Sequence, residues 1–308
     1  MGGLVSVVMP SYARQAKFLA NALESVLGQS YSALEVVLVS DGSNEILQAA
    51  DRFREETRLK FFIEKGRGYI AALNQGIELS QGLYVAFCDS DDVLNKDHLK
   101  VLVDALERFP DAGLVFDNLE HFDSESGEHV TDPTLMADDR LLISRERARE
   151  LVQKAVSLQD IFADNLVSGP AFMVPRQVFD NAGYFDSDVF LMNDLHLFYR
   201  IGAYYPVRFV NYVGVRKRVH AANLTTVHPH YEYGVKCLEN IQERYPDVCR
   251  RIGRRFFDKK LGSKYYRLGL YFERSGDRSK AREVYKKAML MRKFSLRNHW
   301  NYLRVSLL

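Results

Sequence analysis

Residues 83–92 read LYVAFCDSDD. An apolar run climbs to Phe87 and Cys88, then stops in three carboxylates within four positions, Asp89, Asp91 and Asp92. Like charges this close raise one another's pKa unless something positive sits among them. The apolar half decides the fold, because the same pattern fills the first 120 residues. LVSVVMP (4–10), LEVVLVS (34–40), LKFFIE (59–64) and AGLVFD (112–117) are short apolar runs that read as buried strands. FLANALESVLGQS (18–30) has helical spacing through Phe18, Leu19, Ala22, Leu23 and Val26. EILQAADRFREE (45–56) and KDHLKVLVDALERFP (96–110) read as helices, and so does YIAALNQGIELSQG (69–82), with Gly82 as its stop signal. The pattern predicts an α/β fold, a mostly parallel central sheet flanked by helices. Ligands of such sheets bind beyond the carboxyl ends of the strands. Those ends read PSY, SDGS and DSDD, so polar and acidic residues are expected on one edge.

The composition is that of a globular protein: 308 residues, 47% apolar and 27% charged. No apolar run approaches the roughly 20 residues of a membrane-spanning helix. The N-terminal MGGLVSVVMPSY has no basic region before its short apolar part, so no signal peptide is expected. Cys88, Cys237 and Cys249 are odd in number and lack metal-ligand spacing. They read as small packed residues in a reducing, cytoplasmic setting. The net charge of +2 hides an asymmetry: residues 250–308 hold 18 Lys/Arg and 4 Asp/Glu, and residues 1–249 hold 24 and 36. Such a tail suits an anionic membrane surface, making the protein peripheral at the inner face, or docking on the acidic body. No nucleic-acid partner is expected. Two domains are expected, 1–225 and a basic helical region at 226–308. In the latter, Leu268, Gly269, Phe272, Gly276, Ala281, Tyr285 and Ala288 fall at the spacing of one tetratricopeptide-like helix pair.

The three carboxylates admit two readings. One is a solvated turn that caps the following helix. The other is a site for Mn2+ or Mg2+, which prefer oxygen ligands and are held by one or two carboxylates plus substrate phosphates. Their place at the strand edge favours the second.

At this point a resemblance becomes specific. Four ordered blocks resemble the family 2 glycosyltransferases: VSVVMPSYARQAKFLANALESVLGQSYSALEVVLVSDGS, RGYIAALNQGIELSQGLYVAFCDSDD, GYFDSDVFLMNDLHLFYRI and RKRVHAANLTT. The resemblance implies a GT-A fold with a C-terminal helical extension, and a nucleotide-sugar-dependent, metal-dependent, inverting enzyme. It implies that Pro10, Ser11 and Tyr12 line the nucleobase pocket, with Asp41 accepting from the N3–H of uracil or thymine. Arg67 and Gly68 would approach the phosphates. Asp89 would face the ribose, beside Ser90. Asp91 and His220 would hold the metal, with Asp92 supporting the turn. Asp194 would be the general base and Asn193 its supporting neighbour. The expected function is transfer of a sugar from a UDP- or dTDP-sugar to a hydroxyl of a glycan or lipid-linked acceptor. A catalytically weak nucleotide-sugar-binding module and a nucleotidyltransferase are the alternatives. The latter lacks support in PSYARQAKF, which has no Gly-rich run to cradle a triphosphate. The chain departs from the family pattern at Ser40, Ala13, Leu73 and Asn193. At Leu73 a positive charge expected near the phosphates is missing or supplied elsewhere.

Overall fold

The computed structural model describes residues 2–64, 68–128, 142–152, 154–164, 166–221, 223, 230–291 and 296–307. The chain divides into two compact units, Met1–Ser187 with Leu197–Asn223, and Asp188–His196 with Leu224–Leu308.

The first unit is built on an eight-stranded sheet. Strands β1 (Val5–Ser11), β2 (Leu34–Ser40), β3 (Leu59–Ile63) and β4 (Tyr84–Phe87) lie parallel in the order β3-β2-β1-β4. Every residue of β1 and β2 is buried, which is why they read as continuous apolar runs without alternation. Helices α1 (Ala16–Leu27), α2 (Asn44–Asp51) and α3 (Tyr69–Leu79) connect them. Helix α1 buries the five residues that the periodicity selects, Phe18, Leu19, Ala22, Leu23 and Val26. Helix α2 stops at Asp51, short of residue 56, because RFREE offers one apolar side chain and no stripe to bury.

Gly82 is not the stop of α3. That helix ends at Leu79, where the Ser80 hydroxyl donates to the Gly76 carbonyl at 2.7 Å. A Cβ at Gly82 would meet the Leu4 oxygen and Ser6 nitrogen at 2.6 Å, so the glycine lets the chain pass against β1.

Beyond β4 the sheet becomes mixed. Strands β5 (Val93–Leu94), β6 (Leu114–Asp123), β7 (Phe172–Pro175) and β8 (Val207–Val219) complete the order β3-β2-β1-β4-β7-β6-β8-β5. β7 runs antiparallel to both β4 and β6, β8 runs parallel to β6, and β5 runs antiparallel to β8. Four of the seven pairings are therefore parallel, all but one of them in the first half. Helices α4 (His98–Arg108), α5 (Arg145–Leu151), α6 (Leu158–Ala163), α7 (Val178–Ala182) and α8 (Asn193–Tyr204) lie along this second half.

β6 runs six residues past the expected end at Asp117. Its polar residues are buried with partners rather than left in a loop. His98 Nδ1 and Asp117 Oδ2 stand 2.7 Å apart with both side chains fully buried, and burial lifts the Asp117 carboxyl to about 6. Asn118 exchanges two hydrogen bonds with the backbone of Ile143.

The second unit is mainly helical: α9 (His230–Arg244), α10 (Pro246–Ile252), α11 (Arg254–Arg274), α12 (Arg278–Met291) and α13 (Leu296–Leu307). Its core includes Leu238, Ile241, Phe257, Leu261 and Tyr285. Helices α11 and α12 pack closely: a Cβ at Gly269 would lie 2.5 Å from the Tyr285 ring. The three cysteines are buried thiols. Among the described residues, no helix is long and apolar enough to cross a membrane.

Candidate functional site

Register brings the site together. Parallel pairing places Ser11 beside Ser40, and Val8 beside Phe87, so the carboxyl ends of β1, β2 and β4 open on one edge. Pro10 and Ser11 are the buried last residues of β1. Tyr12 follows, its ring 5.4 Å from the Arg14 guanidinium carbon. The Ser11 and Tyr12 hydroxyls are buried without a hydrogen-bond partner among the described residues.

Asp41 is exposed and ties two strand ends together. Its Oδ2 accepts from the Ala13 amide at 3.0 Å and its Oδ1 from the Ser43 amide at 3.1 Å. Partial burial would raise its pKa, but these bonds outweigh it and the carboxyl titrates below its usual range. Gly42 turns the chain here at φ 74°, a conformation glycine adopts without steric cost. Gly68 has φ 89° and caps α3, its N–H 3.3 Å from Glu64 Oε2. Arg67 lies outside the described residues. Leu73 packs into the core at 3% exposure and brings no charge to the edge.

Asp89, Asp91 and Asp92 offer ligand oxygens that all lie within 4.8 Å of one another. Asp89 Oδ1 accepts from the Tyr69 hydroxyl at 2.8 Å. Ser90 is fully buried and donates to Gln15 Oε1 at 3.3 Å. Asp91 Oδ2 stands 2.9 Å from His220 Nε2. Burial would raise the Asp91 pKa, but hydrogen bonds from His220 and Gln15 prevail and hold it below the usual range. Asp92 goes the other way. Burial, then the charge of Asp91, pushes it well above the carboxylate range. Its Oδ1 accepts from the Arg218 amide at 2.8 Å, and its Oδ2 has no hydrogen-bond partner among the described residues.

These donor atoms fit a hard divalent cation: clustered carboxylate oxygens, one imidazole nitrogen, and one buried carboxylate oxygen lacking a partner. Asp91 Oδ2 and His220 Nε2 lie 2.9 Å apart, close enough for both to hold one cation. His220 is oriented by its own surroundings. Its amide donates to Asn223 Oδ1 at 2.6 Å, and its ring lies 4.9 Å from that of Phe18.

Sequence reasoning did not single out Gln15, Tyr69, Arg218 or Asn223. Arg218 carried a signal, since it lies two residues before His220 in a run with two other basic residues, Arg216 and Lys217. Lys217 acts electrostatically on both Asp91 and Asp92.

Asp194 falls in the second unit, with Asn193, at the first turn of α8. The Leu195 amide donates to Asp194 Oδ1 at 2.8 Å, and Asn193 Nδ2 donates to the Phe190 carbonyl at 2.7 Å. Met192, immediately before, has φ 65°. Such a conformation costs a non-glycine residue of order 1 kcal/mol and collects at functional sites. The Met192 carbonyl accepts from the His196 amide at 2.9 Å, and His196 Nε2 meets Asn240 Oδ1 of α9 at 2.9 Å. The turn that presents Asp194 is thus fixed at both ends.

Comparison with known proteins gives the same direction. The family model described as glycosyl transferase family 2 matches residues 6–164. Glycosyltransferase GlyG of Streptococcus pneumoniae is 32% identical over 130 residues, 41% of this chain and 42% of that protein. The putative teichuronic acid biosynthesis glycosyltransferase TuaG of Bacillus subtilis is 38% identical over 101 residues, 32% of this chain and 39% of that protein. The matches span 15% to 42% of the length of the first four such relatives. Among solved structures, S. aureus TarS 1-349 in complex with UDP-GlcNAc superposes with a TM-score of 0.69 at 16% identity, over 98% of this chain and 90% of that one. The fold is therefore that of the GT-A glycosyltransferases, with a C-terminal helical region.

Proposed function

The chain belongs to glycosyl transferase family 2, and from that premise we propose that it moves a sugar from a UDP- or dTDP-sugar to a hydroxyl of a glycan or lipid-linked acceptor. The reaction is a direct displacement with inversion. The observation that carries the reading is the meeting of Asp91 Oδ2 and His220 Nε2 at 2.9 Å, beside Asp89 and Asp92, at the carboxyl edge of the parallel strands. TarS, of the same fold, has been crystallised with UDP and with UDP-GlcNAc, which supports a uridine donor.

The roles follow from the chemistry of each residue. Asp91 and His220 would hold Mn2+ or Mg2+. When bound, the cation offsets the negative charge that develops on the departing nucleoside diphosphate. Tyr69 fixes Asp89 toward the ribose hydroxyls. Asp41 keeps acceptor capacity for the N3–H of the base, because an ionised carboxylate has about four lone-pair sites. Asp194 takes the proton from the acceptor hydroxyl as it attacks. Its carboxylate is aimed by the Leu195 amide and by the constrained turn at Met192.

A panel of UDP- and dTDP-sugars incubated with the protein and Mn2+, read by nucleoside diphosphate release, tests the reading. Metal-dependent release with at least one donor is expected. Absence of both turnover and binding across the panel would reject it. Asp194→Asn is expected to lower kcat by about 10²–10⁴-fold while donor binding stays unchanged. An active variant would show that another group is the base.

The basic C-terminal region is placed by the same reading on an anionic membrane surface at the cytoplasmic face, where lipid-linked acceptors reside. Helix α13 buries Asn301 and Val305, and Arg304 pairs with Glu273 of α11 at 2.6 Å. Trp300 and Leu303 of the same helix stay 66% and 53% exposed. A basic region that exposes Trp and Leu suits an anionic interface. Flotation with anionic vesicles is expected, and Trp300→Glu with Leu303→Glu is expected to abolish it. Equal flotation of parent and variant rejects the membrane role.

A further inference from the structure

The three clustered aspartates need something to hold their turn in place before any cation arrives. Arg218, near the end of β8, makes the connections that do this. Its Nε donates to the Asp91 carbonyl at 2.8 Å, and its own amide donates to Asp92 Oδ1 at 2.8 Å. Its Nη2 donates to Asn21 Oδ1 of α1 at 3.1 Å. The guanidinium carbon lies 4.5 Å from the ring centroids of both Phe18 and Phe122, two cation–π contacts that hold it. Phe18 also touches the His220 ring. One side chain, 8% exposed, therefore joins the aspartate turn, α1, β6 and the strand that delivers His220.

We propose that Arg218 is the positioning residue of the donor site. It locks the Asp91–Asp92 turn to β8, so that Asp91 Oδ2 and His220 Nε2 stay converged. The proposal rests on the reading of that convergence as a metal–nucleotide site. A guanidinium is required for geometric reasons. Its planar fork donates from Nε and Nη2 to two separate acceptors while its carbon lies over two rings, an arrangement that the compact ammonium of lysine does not reproduce. It also places a fixed positive charge beside carboxylates that crowd one another, where Leu73 provides none.

The test is direct binding of Mn2+ in the presence of UDP, followed by the electron paramagnetic resonance of free Mn2+, with thermal melting in parallel. Arg218→Met is expected to weaken Mn2+–UDP binding by about tenfold or more, in the range seen when a group that orients a metal ligand is removed. Arg218→Lys is expected to recover only part of the loss. Asn21→Ala removes one acceptor from an exposed position of α1 and is expected to weaken binding about two- to threefold without lowering the melting temperature. It therefore tests the proposal even if Arg218→Met fails to fold. In turnover, the donor and Mn2+ KM values should rise more than kcat falls. The proposal is overturned if a folded Arg218→Met protein, or Asn21→Ala, binds Mn2+–UDP as the parent does. If the parent itself binds no Mn2+ with UDP, the donor-site reading falls first, and the two failures are distinguishable.

Discussion

Two buried carboxylate sites sit at opposite ends of the same parallel strands, and they are built differently. Glu35, near the start of β2, is complete. It accepts from the Ser6 hydroxyl at 2.5 Å and the Gln81 amide at 2.7 Å, and pairs with Lys60 at 2.5 Å. Burial would raise its pKa, but the bonds from Lys60, Ser6 and Gln81 hold it below the usual range. The aspartate cluster beyond β4 is incomplete. Asp92 is pushed up, its Oδ2 lacks a hydrogen-bond partner among the described residues, and three carboxylates share one small volume. A carboxylate whose partners are all supplied by the fold is structural. A cluster that leaves a buried carboxylate oxygen without a partner among the described residues has the chemistry that a cation would complete.

Substitutions break that comparison in graded ways. Asp91→Asn should have the largest effect, lowering turnover and Mn2+–UDP binding by on the order of 100-fold. Glu35→Ala should do the reverse. Leaving Ser6, Gln81 and Lys60 without their acceptor should cost about 2 kcal/mol of stability, read by urea unfolding, with UDP affinity unchanged in the folded protein. Asp92→Asn keeps an acceptor for the Arg218 amide and removes a crowded charge. The metal-free protein should then melt a few degrees higher, on the order of 1 kcal/mol, while Mn2+ binding weakens less than in Asp91→Asn.

A pH dependence is expected at Asp117, which lies in neither site. Its folded pKa, about 6, lies above an unfolded value near 3.9. The native state therefore holds a proton that the unfolded chain has released. The contribution to stability is full below about pH 4 and is lost as pH rises through about 6. The stability difference between the parent and Asp117→Asn should shrink in the parent's disfavour across that window and stay flat above it. A difference independent of pH from 4 to 7 would contradict the assignment.

What was legible in the sequence follows from the same physics. Fully buried parallel strands leave uninterrupted apolar runs, so β1, β2 and β4 and their polar ends stand out. The buried stripe of α1 was equally plain. β7 was not legible, because four apolar residues bounded by Pro170 and Pro175 carry little periodic signal. The end of β6 was hidden because Asp117, Asn118 and His121 look like loop residues until His98 and Ile143 are seen beside them. The clustering of Asp89, Asp91 and Asp92 was legible because three carboxylates fall within four positions at the end of a buried strand. Arg218 and Tyr69 reach the aspartates, and Gln15 reaches Ser90 between them, from distant elements; pairing across 127, 20 and 75 positions leaves no local pattern.

The central claim is that the aspartate turn and His220 form a site for a divalent cation that binds together with a nucleoside diphosphate. Calorimetric titration of UDP into the protein, first stripped with EDTA and then supplied with Mn2+, tests it most directly. Strong UDP binding is expected only with Mn2+ present, and is lost in Asp91→Asn. Equal UDP affinity with and without the metal would contradict it.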